Sequence, residues 1–145
     1  MGSTLALRPR RPAPSVSFRG VSFPTPFPGS RRPARLLKSD YVRHDANLPD
    51  IVGPQAERQF IVTALTAFPD LQFEAEQLVA ENDLVMCGLT ARGTHRAEFM
   101  GVPPSGRHVD FQSVDTFRLS DGKIAEQWVV MDALGLLQQL GAIPT

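Results

Sequence analysis

The sequence predicts a single α+β domain in which an antiparallel sheet is preceded by one helix and followed by another. Three observations support this. Apolar side chains recur at helical spacing between residues 54 and 68, and four later segments alternate apolar and polar residues between turn residues. An aspartate then precedes a short apolar run near the end of the chain. A chain of 145 residues has room for one core, so one domain is expected.

The start of the chain has a different composition from the rest. Residues 1–35 hold seven of the thirteen prolines, and residues 1–39 carry eight Arg or Lys and no acid. Prolines at this density exclude a helix of any useful length. We therefore expect a basic Pro/Arg-rich tail over 1–35 and a folded domain over 36–145. The tail fits a disordered extension, an organelle transit peptide, or a segment produced by a misplaced start or shifted reading frame.

Within the domain, each element has a local signal. Residues 36–53 are expected to hold the end of a helix, a turn and an irregular stretch. Pro54 suits the first position of a helix that runs to about Phe68. Gly141 follows the last apolar residue of a closing helix that begins after Asp132. Between the helices, the alternation predicts an antiparallel meander of four strands, at 71–81, 84–95, 108–119 and 124–131.

Charge and cysteine content narrow the function classes. From residue 40 onward the chain has fifteen Asp or Glu against seven Arg or Lys, which disfavours nucleic acid as a partner. Cys87 is the single cysteine, so an internal disulfide is excluded. No apolar run approaches the ~20 residues that cross a bilayer. We expect a soluble cytoplasmic protein, or an organellar one if the tail is a transit peptide.

The third predicted strand carries a candidate acid/base. Alternation places Asp115 and Phe117 on the same face, so burial of that face would raise the pKa of the carboxyl group. Asp115 would then be a plausible proton acceptor or donor. The alternative is a partly exposed acid at the rim of the sheet.

The fourth predicted strand carries three further candidates on one face. Trp128 could form the floor of a pocket that Glu126 and Asp132 help to line. A tryptophan at this position also suits an ordinary core residue. Asp132 precedes an apolar helical run, so it could be a helix cap, a catalytic group, or both.

Two histidines, His95 and His44, could tune or shuttle a proton near neutral pH, although each also suits a structural role. The histidine spacing does not predict a metal site, and no phosphate-binding loop or serine nucleophile motif is present. The function classes that remain are acid/base chemistry without a cofactor and ligand binding without catalysis.

Five segments together resemble the SnoaL-like polyketide cyclase family, also called ester cyclases. They are YVRHD at 41–45, FPDL at 68–71, GTHRAEFMGVPPSGR at 93–107, VDTFRLSDGKIAEQW at 114–128, and DALGLLQQLG at 132–141. The resemblance covers about residues 36–144. It implies the nuclear-transport-factor-2-like fold, a cone in which a curved antiparallel sheet and helices enclose one apolar pocket. It also implies a homo-oligomer formed through the outer face of the sheet.

The resemblance further implies a reaction and its residues. Characterised members close a ring by intramolecular aldol condensation of a polyketide methyl ester, without a cofactor, and an aspartate is the acid/base. Position in the matched motif favours Asp132 for this role and then Asp115, with His95 and His44 as supporting polar groups. A small apolar or polyketide-like molecule is the implied ligand.

One feature departs from the family pattern. Members begin with an amphipathic helix that closes one side of the cone, and the Pro/Arg-rich tail does not supply it, so the first helix is expected to be missing. An open pocket would weaken the desolvation that a carboxylate base needs. A non-catalytic module for apolar-ligand binding or oligomerisation, and a truncated inactive relative, therefore stand as alternatives to an enzyme.

Overall fold

The computed structural model describes residues 35–145, which form a mixed α+β domain with a curved sheet of six strands and two helices. None of the helices in this range is long and apolar enough to span a bilayer. The elements in chain order are β1 (Leu37–Asp45), β2 (Ile51–Val52), α1 (Pro54–Ala67), β3 (Gln72–Glu81), β4 (Leu84–Thr94), β5 (His108–Ser120), β6 (Lys123–Met131) and α2 (Ala133–Leu140).

The strands lie in the order β2-β1-β6-β5-β4-β3. The predicted antiparallel meander is confirmed, because β3, β4, β5 and β6 pair in sequence with neighbouring strands antiparallel. Two further strands extend the sheet beyond β6. The pairing of β1 with β6 is parallel, and the short β2 adds an antiparallel edge to β1.

The prediction of a helix end over the first domain residues was wrong, because this segment is strand β1. Its alternate side chains Tyr41 and Arg43 are buried, with Val42 between them partly exposed. One of the three buried positions of β1 is therefore a charged residue, and the segment lacks the apolar alternation by which a strand is recognised. The register places Arg43 beside Gln127 of β6.

Both predicted helices are confirmed, and local chemistry sets their ends. Gly53, at φ 85°, occupies the left-handed region before Pro54, which stands at the first helical position of α1. At α2, the side chain of Asp132 accepts a hydrogen bond from the backbone N–H of Gly135. Gly141 ends α2 in the left-handed conformation, at φ 77°.

The apolar core lies where both helices cover one face of the sheet. It joins residues of α1, the segment after β4, β5 and α2: Ala67, Phe68, Phe99, Val109, Leu136 and Leu140. We call the sheet face that carries Val109 the inner face and the opposite one the outer face. The predicted tail and the expected loss of the first helix fall on residues before 35, outside the described part of the chain.

Candidate active site on the inner face

From its start to Phe117, strand β5 alternates between more exposed and more buried residues, and Asp115 lies on the same side of it as Val109. The pairing register places Val129 of β6 and Cys87 of β4 directly beside Asp115. Phe117 follows on the same face, opposite Gln127. The predicted common face of Asp115 and Phe117 is therefore the inner, buried face.

Asp115 is 9% exposed, so the alternative of an exposed acid at the sheet rim is wrong. Its two carboxyl oxygens accept hydrogen bonds, Oδ1 from the hydroxyl of Ser113 and Oδ2 from Nε2 of Gln127 at 2.9 Å. Burial raises the pKa of this carboxyl group, and the hydrogen bond from Ser113, the charge of Arg43 and the hydrogen bond from Gln127 only partly oppose the rise. The group is thus held in place and is a weaker acid than an exposed aspartate.

A hydrogen-bonded chain links Asp115 to strand β1. The hydroxyl of Tyr41, which is fully buried, donates to Oε1 of Gln127 at 2.6 Å. Because Oε1 accepts from Tyr41, the amide nitrogen of Gln127 faces Asp115 and donates to it. Burial, more than any neighbouring charge, raises the pKa of Tyr41, so the phenol stays protonated.

Arg43 brings a buried positive charge into the same region. Its Nη1 lies 3.2 Å from Oε1 of Glu57, and its Nη2 lies 3.2 Å from Oδ2 of Asp45. The guanidinium also lies over the ring of Phe60, 4.2 Å from the ring centre. One arginine is thus shared between two carboxyl groups.

Glu57, in the first turn of α1, is 6% exposed. Its Oε2 is buried and has no hydrogen-bond partner, unlike the oxygen that faces Arg43. Burial raises the pKa of Glu57, and the attraction of Arg43 does not cancel the effect. We call the following residues the inner polar cluster: Tyr41, Arg43, Asp45, Glu57, Ser113, Asp115 and Gln127.

Asp132, the aspartate that the motif position favours, lies outside the inner polar cluster. It is exposed, and its Oδ1 accepts the N–H of Gly135 at 2.8 Å as the cap of α2. Of the two predicted roles, the geometry establishes the cap.

Trp128, Glu126 and His44 were expected to line or support the same pocket as Asp115, and this placement was wrong. Trp128 pairs with Thr116 and with His44 on the outer face, because its neighbour Gln127 is the residue of β6 that points inward. The ring of His44 stacks on Trp128 at 5.6 Å, and its Nε2 lies 2.9 Å from Glu126. These three side chains form an outer-face group.

His95 follows β4 directly and is completely buried in the apolar core. Its ring stacks on Phe68 at 5.2 Å, and its Nδ1 accepts the backbone N–H of Ser105 at 3.1 Å. The other ring nitrogen, Nε2, has no partner. His95 therefore anchors the loop that contains Ser105 and has no contact with Asp115.

The comparisons with known proteins bear on this arrangement. The sequence profile of the SnoaL-like polyketide cyclase family matches residues 31–140. The chain belongs to this family. Among characterised relatives, it is 28% identical over 111 residues to aklanonic acid methyl ester cyclase DnrD from Streptomyces peucetius, with 74% of this chain and 77% of DnrD covered.

Solved structures agree with the family assignment. AclR from Streptomyces galilaeus, a candidate hydroxylase, is 35% identical with a TM-score of 0.68, covering 77% of this chain and 69% of AclR. A candidate SnoaL-like polyketide cyclase from Jannaschia sp. CCS1 is 26% identical with a TM-score of 0.71, and 77% of each chain is covered. The predicted family and its nuclear-transport-factor-2-like fold are thereby confirmed.

Most of the inner polar cluster of this SnoaL-like protein was missed by the sequence interpretation. Tyr41 and Arg43 lie in a matched motif, and their spacing of two was a usable signal for one face of a strand. Glu57 gave no such signal, because an acidic residue in the first turn of a helix is common for electrostatic reasons alone.

The described residues form an open groove away from the inner polar cluster. It has a volume of about 450 Å³ and lies between the loop 101–105 and residues 140–142. None of the predicted site residues lines it, and it contains no acidic side chain. Residues 35–145 contain no group of three or more His, Cys, Asp or Glu suited to a metal ion.

Proposed function

We propose that this SnoaL-like protein is a cofactor-independent cyclase of the aldol type, acting on a small polyketide-like carbonyl compound with Asp115 as the base. The observation that carries the proposal is the state of Asp115. It is buried, oriented through both oxygens, and surrounded by the inner polar cluster. Family membership and the relation to DnrD support the reaction class.

The chemistry requires a base beside a carbon whose proton is acidified by a neighbouring carbonyl group. A raised pKa makes Asp115 a stronger base than an exposed carboxylate. The two hydrogen bonds from Ser113 and Gln127 fix the carboxylate in one orientation, which reduces the entropy lost on reaching the transition state. Asp115 would accept the α-proton, and the resulting enolate would attack a second carbonyl group of the same molecule.

The test uses aklanonic acid methyl ester, the compound in the name of the relative DnrD, as a probe. Asp115→Asn preserves the shape of the side chain and removes the base, so ring closure should fall by about 10²- to 10⁴-fold. Asp110→Asn is the matched control, because Asp110 lies exposed on the same strand. Product is followed by liquid chromatography with mass detection. Full activity in the Asp115→Asn variant would exclude Asp115 as the base.

We also propose that the outer face pairs with a second copy of this chain. Large apolar side chains are exposed there on three adjacent strands, with Met86 49%, Val114 44% and Val130 60% accessible. The register brings Val114 beside Val130, so the exposed surface is continuous across strands. A continuous exposed apolar surface on a sheet suits a self-complementary contact about a twofold axis.

Sedimentation equilibrium tests this pairing. Val130→Lys places a charge within the exposed surface, at its most accessible valine, and should convert a dimer to a monomer. Val62→Lys is a control on α1, where Val62 is 49% exposed and away from the sheet. A wild-type protein that sediments as a monomer at micromolar concentration would contradict the proposal.

A further inference from the structure

We propose that Glu57 is a second catalytic acid of this site, which delivers a proton to the oxygen at which the new alkoxide forms. The inference rests on the proposed function, and it assigns the two proton transfers of the aldol step to different carboxyl groups. Asp115 removes the proton from carbon, and Glu57 supplies the proton to oxygen.

Among the described residues, 35–145, the buried charges of the inner polar cluster do not balance. Asp45, Glu57 and Asp115 are three carboxyl groups of the cluster, and Arg43 is the one guanidinium that this part of the chain brings to it. Three ionised carboxylates around one cation would leave two buried negative charges uncompensated, which is costly in a region of low dielectric constant. At least one carboxyl group of the cluster therefore holds a proton.

Hydrogen bonding distinguishes Glu57 from the other two carboxyl groups as the one that holds this proton. Both oxygens of Asp115 accept hydrogen bonds, and both oxygens of Asp45 do so, from Arg43 and from the backbone N–H of Asn47. Glu57 differs, since Oε1 faces Arg43 and Oε2 has no donor. An ionised Glu57 would thus carry negative charge on a buried oxygen without a hydrogen-bond donor, and burial outweighs the help that Arg43 and the hydroxyl of Tyr41 give to that charge.

A proton on Oε2 of Glu57 would be available to a substrate oxygen. A neutral Glu57 with its proton on Oε2 presents a buried O–H group that has no acceptor. Such a group is costly until an acceptor arrives, and a carbonyl oxygen of the substrate is one. Arg43 would hold the other oxygen and so orient the O–H group.

The step balances without any further reactant. The α-carbon loses its proton to the carboxylate of Asp115, and the electron pair of that C–H bond becomes the enolate. The enolate carbon forms the new C–C bond, and the electron pair of the attacked C=O moves to its oxygen. That oxygen takes the proton of Glu57. After product release, Asp115 loses its proton to water and Glu57 regains one, so the net reaction is an isomerisation.

The first experiment separates the two proton transfers in the full chain. In D₂O, exchange of the α-hydrogen of aklanonic acid methyl ester reports the base, and ring closure reports both groups. Glu57→Gln should keep exchange within about 3-fold of the wild-type rate, while ring closure falls by about 10²-fold or more. Glu98→Gln, at an exposed position outside the cluster, should change neither rate.

Two results of this experiment would overturn the inference while leaving Asp115 as the base. One is ring closure by Glu57→Gln at the wild-type rate. The other is an equal loss of exchange and ring closure, which would mean that Glu57 acts on the step that Asp115 performs or only on folding. A wild-type protein that neither exchanges nor closes the probe would instead refute the proposed function itself.

The second experiment needs neither a variant nor a substrate. Carbon-13 NMR of the side-chain carboxyl groups, measured against pH in the wild-type protein, should find Glu57 neutral at pH 7. The charged and titratable groups around Glu57 are Tyr41, Arg43 and Asp45 of β1 and Asp115 of β5, and the same spectra follow the carboxyl groups of Asp45 and Asp115. A Glu57 carboxyl group already ionised at pH 7 would overturn the inference.

Discussion

The cap formed by Asp132 gives a prediction that distinguishes a structural role of this residue from the catalytic role that the family motif favours. Asp132→Ala removes the acceptor of the Gly135 N–H at the start of α2 and leaves that donor without its partner. The loss of such a cap costs about 1 kcal/mol. In a domain of this size, that cost lowers the melting temperature by about 4 °C.

A matched variant makes this measurement specific. Asp132→Ser keeps an oxygen that can cap the helix and removes the carboxylate, so it should recover most of the lost stability. Thermal unfolding followed by circular dichroism measures both variants against the wild-type protein. If Asp115 is the base, Asp132→Ser should also close the probe ring at a rate close to that of the wild-type protein.

Two outcomes would refute this reasoning. If Asp132→Ala melts at the wild-type temperature, the hydrogen bond to Gly135 contributes nothing and the cap assignment fails. If Asp132→Ser is as stable as the wild-type protein and yet loses ring closure by 10²-fold or more, the carboxylate of Asp132 is needed for chemistry, and Asp115 would lose its place as the preferred base.

Two further predictions concern stability. The hydrogen bond to Glu126, followed by that to Asp50, raises the pKa of His44 above 6.5. The contribution of His44 to stability is therefore complete below pH 6.5 and is lost as the pH rises through the raised pKa. Urea unfolding from pH 5.5 to 8.5 should show this loss of stability, and an equal loss in a His44→Gln variant would contradict the prediction. Leu136→Ala should lower the free energy of unfolding by about 2 to 5 kcal/mol because Leu136 is fully buried in the core. Leu134→Ala on the same helix, at a position 62% exposed, should have little effect, and similar losses in both variants would refute the packing argument.

The sequence predicted those parts of the fold in which apolar side chains mark the buried face. The four strands of the meander and both helices belong to this class, and the turn residues between them identified their ends. Strand β1 does not belong to this class, because it buries Arg43 as well as Tyr41. A buried charge breaks the pattern on which the prediction depends.

Apart from Asp115, the residues of the candidate site were not predicted, for the same reason. Alternation grouped Glu126 and Trp128 correctly on one face of β6, but the assumption that the tryptophan marks the buried face was wrong. The inward residue there is Gln127, a polar residue whose burial is stabilised by hydrogen bonds to Tyr41 and Asp115. A polar residue is buried in this way because hydrogen-bond partners lie on neighbouring strands, and these partners cannot be identified from the sequence of one strand.

The parallel pairing of β1 with β6 has a consequence for how the protein acquires its site. Tyr41 and Gln127 are 86 residues apart in the chain, and Arg43 joins Gln127 through the same pairing. Contacts between such distant segments close a long loop, and they form slowly compared with the hairpins between β3 and β6. On the ribosome, the meander up to β5 can begin to form while β6 is still unmade, whereas the inner polar cluster cannot. A nascent or prematurely ended chain would therefore contain Asp115 and Ser113 without Gln127, the second hydrogen-bond partner of Asp115. The inner polar cluster is complete only once synthesis has passed β6.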